Sequence, residues 1–267
     1  MKIINKFIGA KITLPSLNKW NKSLAAMHAI FAVLILVLSQ NRAFPVTTNF
    51  LTMNTLTSTP NHPVLVTAQR HLFDVRMSYV IALFFLLSAI AHLLAATYFR
   101  KRYESDLKNG INKFRWFEYS LSASTMMVAI SYLTGITDIS SLIMIFGLIA
   151  IMNLLGLVME IHNQKSKTVN WISYIIGCIA GIIPWIVFVI YTVGVELYGG
   201  GGIPTFVYFI YGTIFVSFNC FAINMYLQYK KIGPWKDYLF GEKMYMILSL
   251  VAKTLLAWQV FFGILRP

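Results

Sequence analysis

Seven apolar stretches, roughly 23–40, 77–99, 114–137, 139–159, 171–195, 203–229 and 244–265, run through this 267-residue chain nearly free of charge. Each is close to the ~17 to 25 residues that a helix needs to cross the ~30 Å hydrocarbon layer of a bilayer. A water-soluble core cannot absorb that much apolar surface. The sequence therefore predicts an all-α membrane protein, with seven transmembrane helices forming one domain over 1–267. Only 12% of the residues are charged and 58% are hydrophobic, against the ~25% charged that is usual in soluble domains. The formal net charge of +13 would suit a nucleic-acid binder, but no DNA- or RNA-reading motif is present and the cations fall between the apolar stretches. They read as topology signals, with the lipid bilayer as partner and no nucleic acid.

Lys and Arg stay preferentially in cytoplasmic connections. Of the 22 such residues, 17 fall on one side, in the first tail and in the connections at 100–115, 165–167 and 230–243. The other side holds only Arg42, Arg70, Arg76 and Arg266. This asymmetry predicts a plasma-membrane protein with a cytoplasmic N-terminus, an exterior C-terminus and a basic segment, 1–22, on the cytoplasmic face. The one long exterior loop, 41–76, contains AFPVTTNFLTMN and HPVLVTAQRHLF around the turn-like LTSTPN. Short runs of Val, Thr and Phe bounded by Pro and Asn predict a β-ribbon, which could seal the outer mouth or pair with a second copy. Asp74 and Arg76 beside it are expected to pair with each other. Cys178 and Cys220 sit within apolar stretches and read as two small apolar side chains.

One cation remains, Lys253, near the middle of the seventh stretch. A charged ammonium there costs at least ~2.5 to 3.5 kcal/mol, and at ~15 Å from either helix end it lies too deep to snorkel. It needs a partner or a covalent use. A buried lysine loses its proton readily, and the neutral amine condenses with an aldehyde to a Schiff base. A lysine in the middle of the last of seven helices is what a retinal protein needs, with a carboxylate nearby to balance the protonated linkage. Of the nine acidic residues, Glu118 is the one clearly inside an apolar stretch. At ~1.5 Å per residue Glu118 lies ~9 Å below the cytoplasmic face. The Lys253 backbone lies ~15 Å deep, and its side chain leans back ~6 Å to the same level. At ~4 Å and an effective dielectric of ~20, their attraction of ~4 kcal/mol suffices to keep such a linkage protonated and coloured at neutral pH. His28 and His92 fall in the same layer, ~8 to 10 Å deep. Ser122 and Ser249, one turn from Glu118 and Lys253, can reach that space.

RWFEYSLSAS in the third stretch, SFNCFAINMYLQY in the sixth and GEKMYMILSLVAKTLLAWQVFFGILRP in the seventh closely resemble the heliorhodopsins, retinal-binding proteins with inverted topology. The resemblance runs over all seven stretches and the long first exterior loop. It implies all-trans retinal attached at Lys253, with Glu118 as Schiff-base counterion and His28 and His92 in a polar cavity that accepts the proton after illumination. It also places Ser249 beside the linkage and Phe218, Asn219 and Trp258 around the chromophore, and it suggests a homodimer. The function so implied is a photoreceptor in which photoisomerisation drives a slow cycle and signals to a partner. A light-gated proton channel or transporter, as in some viral heliorhodopsins, is the alternative, with Glu196 in VELYGGGGIP as a possible proton relay. A membrane scaffold without chromophore, in which Lys253 and Glu118 form a structural pair, is the third reading. No G-x-S-x-G, H-E-x-x-H or P-loop pattern and no metal-ligand spacing point to an enzyme or a metal site.

Overall fold

A computed structural model of the chain describes residues 12–267, so residues 1–11 of the expected basic segment lie outside the described residues. Among the described residues, seven helices have 20 residues or more: α1 (Leu14–Leu38), α2 (Met77–Ala96), α4 (Lys113–Leu133), α5 (Ile139–Asn163), α6 (Ile172–Tyr198), α7 (Thr205–Lys230) and α8 (Tyr238–Val260). A short α3 (Arg100–Lys108) precedes α4, and one π-helical turn, Phe261–Leu265, extends α8. Six of the seven are long and apolar enough to cross a membrane. The exception is α4, whose sequence carries Lys113, Arg115, Glu118 and four serines among its 21 residues. All of these but Lys113, which pairs with Asp106 of α3, are buried in the bundle.

The first helix begins nine residues before the expected position 23. Thr13 caps it, its hydroxyl accepting the Ser16 N–H at 3.3 Å, and Pro15 occupies the first turn, where its missing N–H matters least. Leu17, Asn18 and Asn21 are consequently buried in the bundle rather than spread on a membrane surface. Helix α3 was not expected either. It is polar, but Tyr103 and Leu107 turn inward and pack with Ile12, Leu17, Leu24 and Phe240.

The long loop forms the expected ribbon. Strands β1 (Ala43–Met53) and β2 (Leu65–Arg76) pair antiparallel, from Ala43 opposite Arg76 to Met53 opposite Leu65, with an irregularity at Val46/Thr47 that leaves Leu72 unpaired. Such a bulge bends the strand that carries it. Within the ribbon only Val46 and Thr47 are buried. The ribbon is anchored to the α4–α5 turn, where the Thr47 N–H donates to the Thr137 carbonyl at 2.9 Å and the Asn49 N–H to Asp138 Oδ1 at 3.2 Å. Asp138 also caps α5 through the Ser141 N–H. The expected Asp74–Arg76 pair does not form: Asp74 pairs with His71 at 2.8 Å, and Arg76 donates to the Tyr79 hydroxyl at 3.1 Å. Neighbours in a strand point to opposite faces, but Asp74 and Arg76 share a face, so the choice of partners is made by reach.

Helices α1, α2, α4, α5 and α6 pack in sequence, α7 packs on α8, and α8 returns to α1. Between α6 and α7 the contact includes rings, Trp185 against Phe215 at 5.1 Å and Phe218 at 6.1 Å and Phe188 stacked on Tyr211 at 6.3 Å, and hydrogen bonds such as that from the Tyr174 hydroxyl to the Ala222 carbonyl. The ribbon end of the bundle is filled by an apolar cluster that includes Ile35, Val46, Met77, Ile136, Leu142, Val260 and Leu265. The α3 end holds most of the buried polar side chains.

Helices α4 and α5 meet closely because Gly156 leaves room for Trp116, whose ring would lie 2.3 Å from a β-carbon added there. The indole also donates to Glu160 at 2.7 Å, so it cannot move aside freely. Gly156→Ala is expected to destabilise the protein by ~1 to 3 kcal/mol, the usual penalty of overpacking. Thermal melting in detergent reads this directly, and an unchanged midpoint contradicts it.

Candidate functional site

Lys253 on α8 is 2% exposed. Its Nζ donates to Glu118 Oε1 on α4 at 3.1 Å and to the Ser249 hydroxyl at 2.7 Å, one turn back on its own helix. Ser88 on α2 donates to the same Glu118 oxygen at 2.5 Å. Lysine and glutamate thus meet in the plane anticipated from their depths. Hydroxyl support comes from Ser88, which the sequence reading missed. Ser122, one turn on from Glu118, is fully buried against the same carboxylate. An α2 serine at the level of Glu118 was a signal available in the sequence, but a single serine on a helix carries little information.

His28 of α1 and His92 of α2 stack at 5.7 Å with their planes 13° apart. His92 Nδ1 bonds Asn21 Oδ1 at 2.7 Å, which makes it the protonated nitrogen. Neither His28 ring nitrogen nor His92 Nε2 has a partner among the described residues. Buried polar atoms left over in this way mark a place for water or a transferred proton. A cavity of about 30 Å³ adjoins this region and is lined by Asn21, His92, Tyr103, Arg115, Glu118 and Glu242, enough for one or two waters.

On the other side of Lys253 lies a larger cavity of about 170 Å³ between α4, α5, α6, α7 and α8. Met126, Met152, Gly181, Trp185 and Phe218 help to form its apolar wall, and Lys253 and Ser249 stand at one boundary. Phe218, expected around a chromophore, lines this cavity. Asn219 also lines the cavity but is exposed, and its amide N–H donates to the Phe215 carbonyl of its own helix. The partners expected of a buried amide are therefore not required. Trp258 is not among the lining residues; it packs against Phe31 at 6.5 Å and Phe261 at 5.3 Å. One helical turn plus one residue separates it from Lys253, which turns its ring toward α1.

Glu196 is exposed near the ribbon end of α6. Its carboxylate accepts the Tyr208 hydroxyl at 2.5 Å and the Ile203 N–H at 3.0 Å, clasping the glycine-rich turn that precedes α7.

A second charged group escaped the sequence reading. Arg115 of α4 donates to Glu160 of α5 and to Glu242 of α8, and both carboxylates are buried. Both acids fall just outside the apolar stretches, which stop at 159 and begin at 244. In the structure α5 continues to Asn163 and α8 starts at Tyr238. The signal was an arginine and two acids falling at the same end of three stretches.

A lysine and a carboxylate paired in the middle of a seven-helix bundle, with an apolar cavity against the amine, define the rhodopsin class of membrane protein. Consistent with that, the bundle is similar to the crystal structure of a light-driven proton pump from Leptosphaeria maculans, with a TM-score of 0.61 over 92% of this chain and 94% of that one, at 15% identity. The heliorhodopsin family model matches residues 17–265, and the chain belongs to that family. No curated protein sequence matches it.

Proposed function

We propose that the protein is a light sensor carrying all-trans retinal as a protonated Schiff base on Lys253. The observation that carries this is the buried amine, with a carboxylate at 3.1 Å on one side and an apolar cavity on the other. Light-driven isomerisation is the chemistry that the bound retinal supplies. The chain's own residues then divide the work. Glu118, held by Ser88, balances the positive charge. Ser249 fixes the Lys253 nitrogen from its own helix. His28 and His92, with three ring nitrogens unpartnered among the described residues, receive the proton when the pair with Glu118 is broken.

A sensor is favoured over a transporter by where the polar groups stop. Toward the α3 end, His92, Asn21, Tyr103 and Arg115 continue from Glu118. Toward the ribbon end, the buried Ser131 and Thr134 bond backbone carbonyls of their own helix, and apolar side chains surround them. A proton leaving Glu118 has polar groups to follow in one direction. We assign the α3 end to the cytoplasm, since the connections there carry most of the Lys and Arg, and the ribbon, with Leu65, Val66 and Phe73 exposed, to contact with a second copy.

Expression with and without retinal tests the reading. A visible band is expected with retinal, and hydroxylamine in the light should bleach it. Lys253→Ala should stay colourless. Colour in that variant rules out the linkage. Patch-clamp recording across a proton gradient separates the functions: no sustained photocurrent is expected, and a current that reverses with the gradient makes the protein a proton conductor, in which Glu196→Gln tests the relay.

A further inference from the structure

At the α3 end, Arg115 stands between carboxylates from two other helices, Glu160 and Glu242, and the three side chains are 7%, 2% and 1% exposed. Their surroundings treat the two acids differently. Glu160 also accepts the Asn112 N–H at 2.9 Å, the Trp116 indole N–H at 2.7 Å and the Tyr238 hydroxyl at 3.2 Å. Glu242 accepts, besides Arg115, the Asn112 side-chain amide at 2.6 Å. The Tyr238 hydroxyl lies between the two carboxyls and reaches Glu242 as well. The guanidinium is covered by the Tyr245 ring at 3.8 Å and the Trp116 ring at 4.4 Å and borders the 30 Å³ cavity.

Fully ionised, these three touching groups sum to one negative charge, and an uncompensated charge is costly at a buried site. The other titratable groups facing the cluster are phenols: Tyr103 from α3, Tyr229 from α7, and Tyr238 and Tyr245 from α8. Burial holds the Tyr103 hydroxyl above its ordinary range, with Glu242 adding to the effect, so it stays neutral. Lys243, next along α8, lies against the Trp20 ring of α1 at 5.4 Å. Glu242, unlike Glu160, also lines the 30 Å³ cavity that reaches Glu118. Tyr103 and Tyr245 also border that cavity, whose polar lining makes it a place for water.

We propose that the Arg115–Glu160–Glu242 cluster is a second proton-holding site, with one proton shared by its two carboxyls in the dark and held in reserve, through Glu242, for the cavity beside Glu118. In use, the Glu242 O–H bond breaks, the proton passes through cavity water toward Glu118, and Glu242 and Glu160 are both ionised around Arg115 until a proton from the aqueous side restores the first state. This exchange rests on the light-sensor reading, whereas the dark proton does not.

The test is infrared spectroscopy of the full-length protein carrying isotope-labelled glutamate. In the dark, the protonated-carboxyl stretch, shifted in D2O, is expected in the wild type and absent in Glu242→Gln. It should also vanish in Glu160→Gln, because the remaining carboxylate then pairs one-to-one with Arg115. Glu242→Asp, which keeps the acid, should move the band rather than remove it, and covers the case in which a Gln variant does not fold. A wild type without the band, or a band that persists in Glu242→Gln, overturns the proposal. These spectra need no chromophore, so they stand even if the protein proves colourless. In the pigment, the same band should bleach transiently in light-minus-dark spectra. A band that light leaves unchanged overturns the reserve role.

Discussion

Replacing Glu118 by Gln is expected to move the absorption band of the retinal-loaded protein from the visible to the near ultraviolet at neutral pH. Glu118 Oε1 lies 3.1 Å from the Lys253 nitrogen, and two opposite charges at that distance attract by ~5 kcal/mol at an effective dielectric of ~20. Ser88 donates to the same oxygen, which fixes the carboxylate in place. Glutamine keeps the volume and can still accept from Ser88, so the change removes charge with little loss of packing. About 5 kcal/mol is between three and four powers of ten in an equilibrium constant. The linkage is then expected to release its proton at a pH where the wild type holds it. The sign is fixed: the visible form is the protonated one, so acidification should restore colour in Glu118→Gln and alkalinisation should deepen its loss. The titration belongs in halide-free buffer, because a small anion entering the cavity could stand in for the carboxylate. Glu118→Gln that remains visible at neutral pH under those conditions would show that this residue is not the counterion.

The partners of that pair were legible in the sequence because each is an exception in its surroundings. A lysine or a glutamate within an apolar run has few energetic options, and helical rise alone puts Lys253 and Glu118 at one depth. His28 and His92 were legible for the same reason, and the structure stacks them. The ribbon announced itself by Pro, Asn and β-branched residues in the only long loop. The Arg115 cluster did not stand out, because its members lie where an apolar run ends and charged residues are ordinary. Burial there is decided by helix ends that hydropathy places only within a turn or so, and by α3, whose own composition is polar. Likewise Trp258 and Phe218 cannot be told apart by sequence in a chain that is 15% aromatic. Which of the two rings meets the cavity depends on the rotation of α7 and α8, a property of packing.

The largest loss of stability is expected from Arg115→Ala. The change removes both ion pairs, opens the contact with the Tyr245 and Trp116 rings, and leaves Glu160 buried as a carboxylate without its cation. Breaking a buried pair from one side typically costs ~3 to 5 kcal/mol. Arg115→Lys should recover part of this, since an ammonium restores the charge, but it lacks the fork that reaches two helices at once. Replacing all three members together by apolar residues of similar volume, Arg115→Met with Glu160→Leu and Glu242→Leu, should cost much less than Arg115→Ala alone, because no charge is left behind. Melting midpoints of the three proteins in one detergent settle the comparison. If the triple replacement melts as low as Arg115→Ala, the cluster is needed for packing or for its hydrogen bonds to Asn112 and Trp116. If it melts near the wild type, the ion pairs add little net stability. The energy then spent on burying three charged side chains points to a use for them, and the proton proposed for the cluster supplies one.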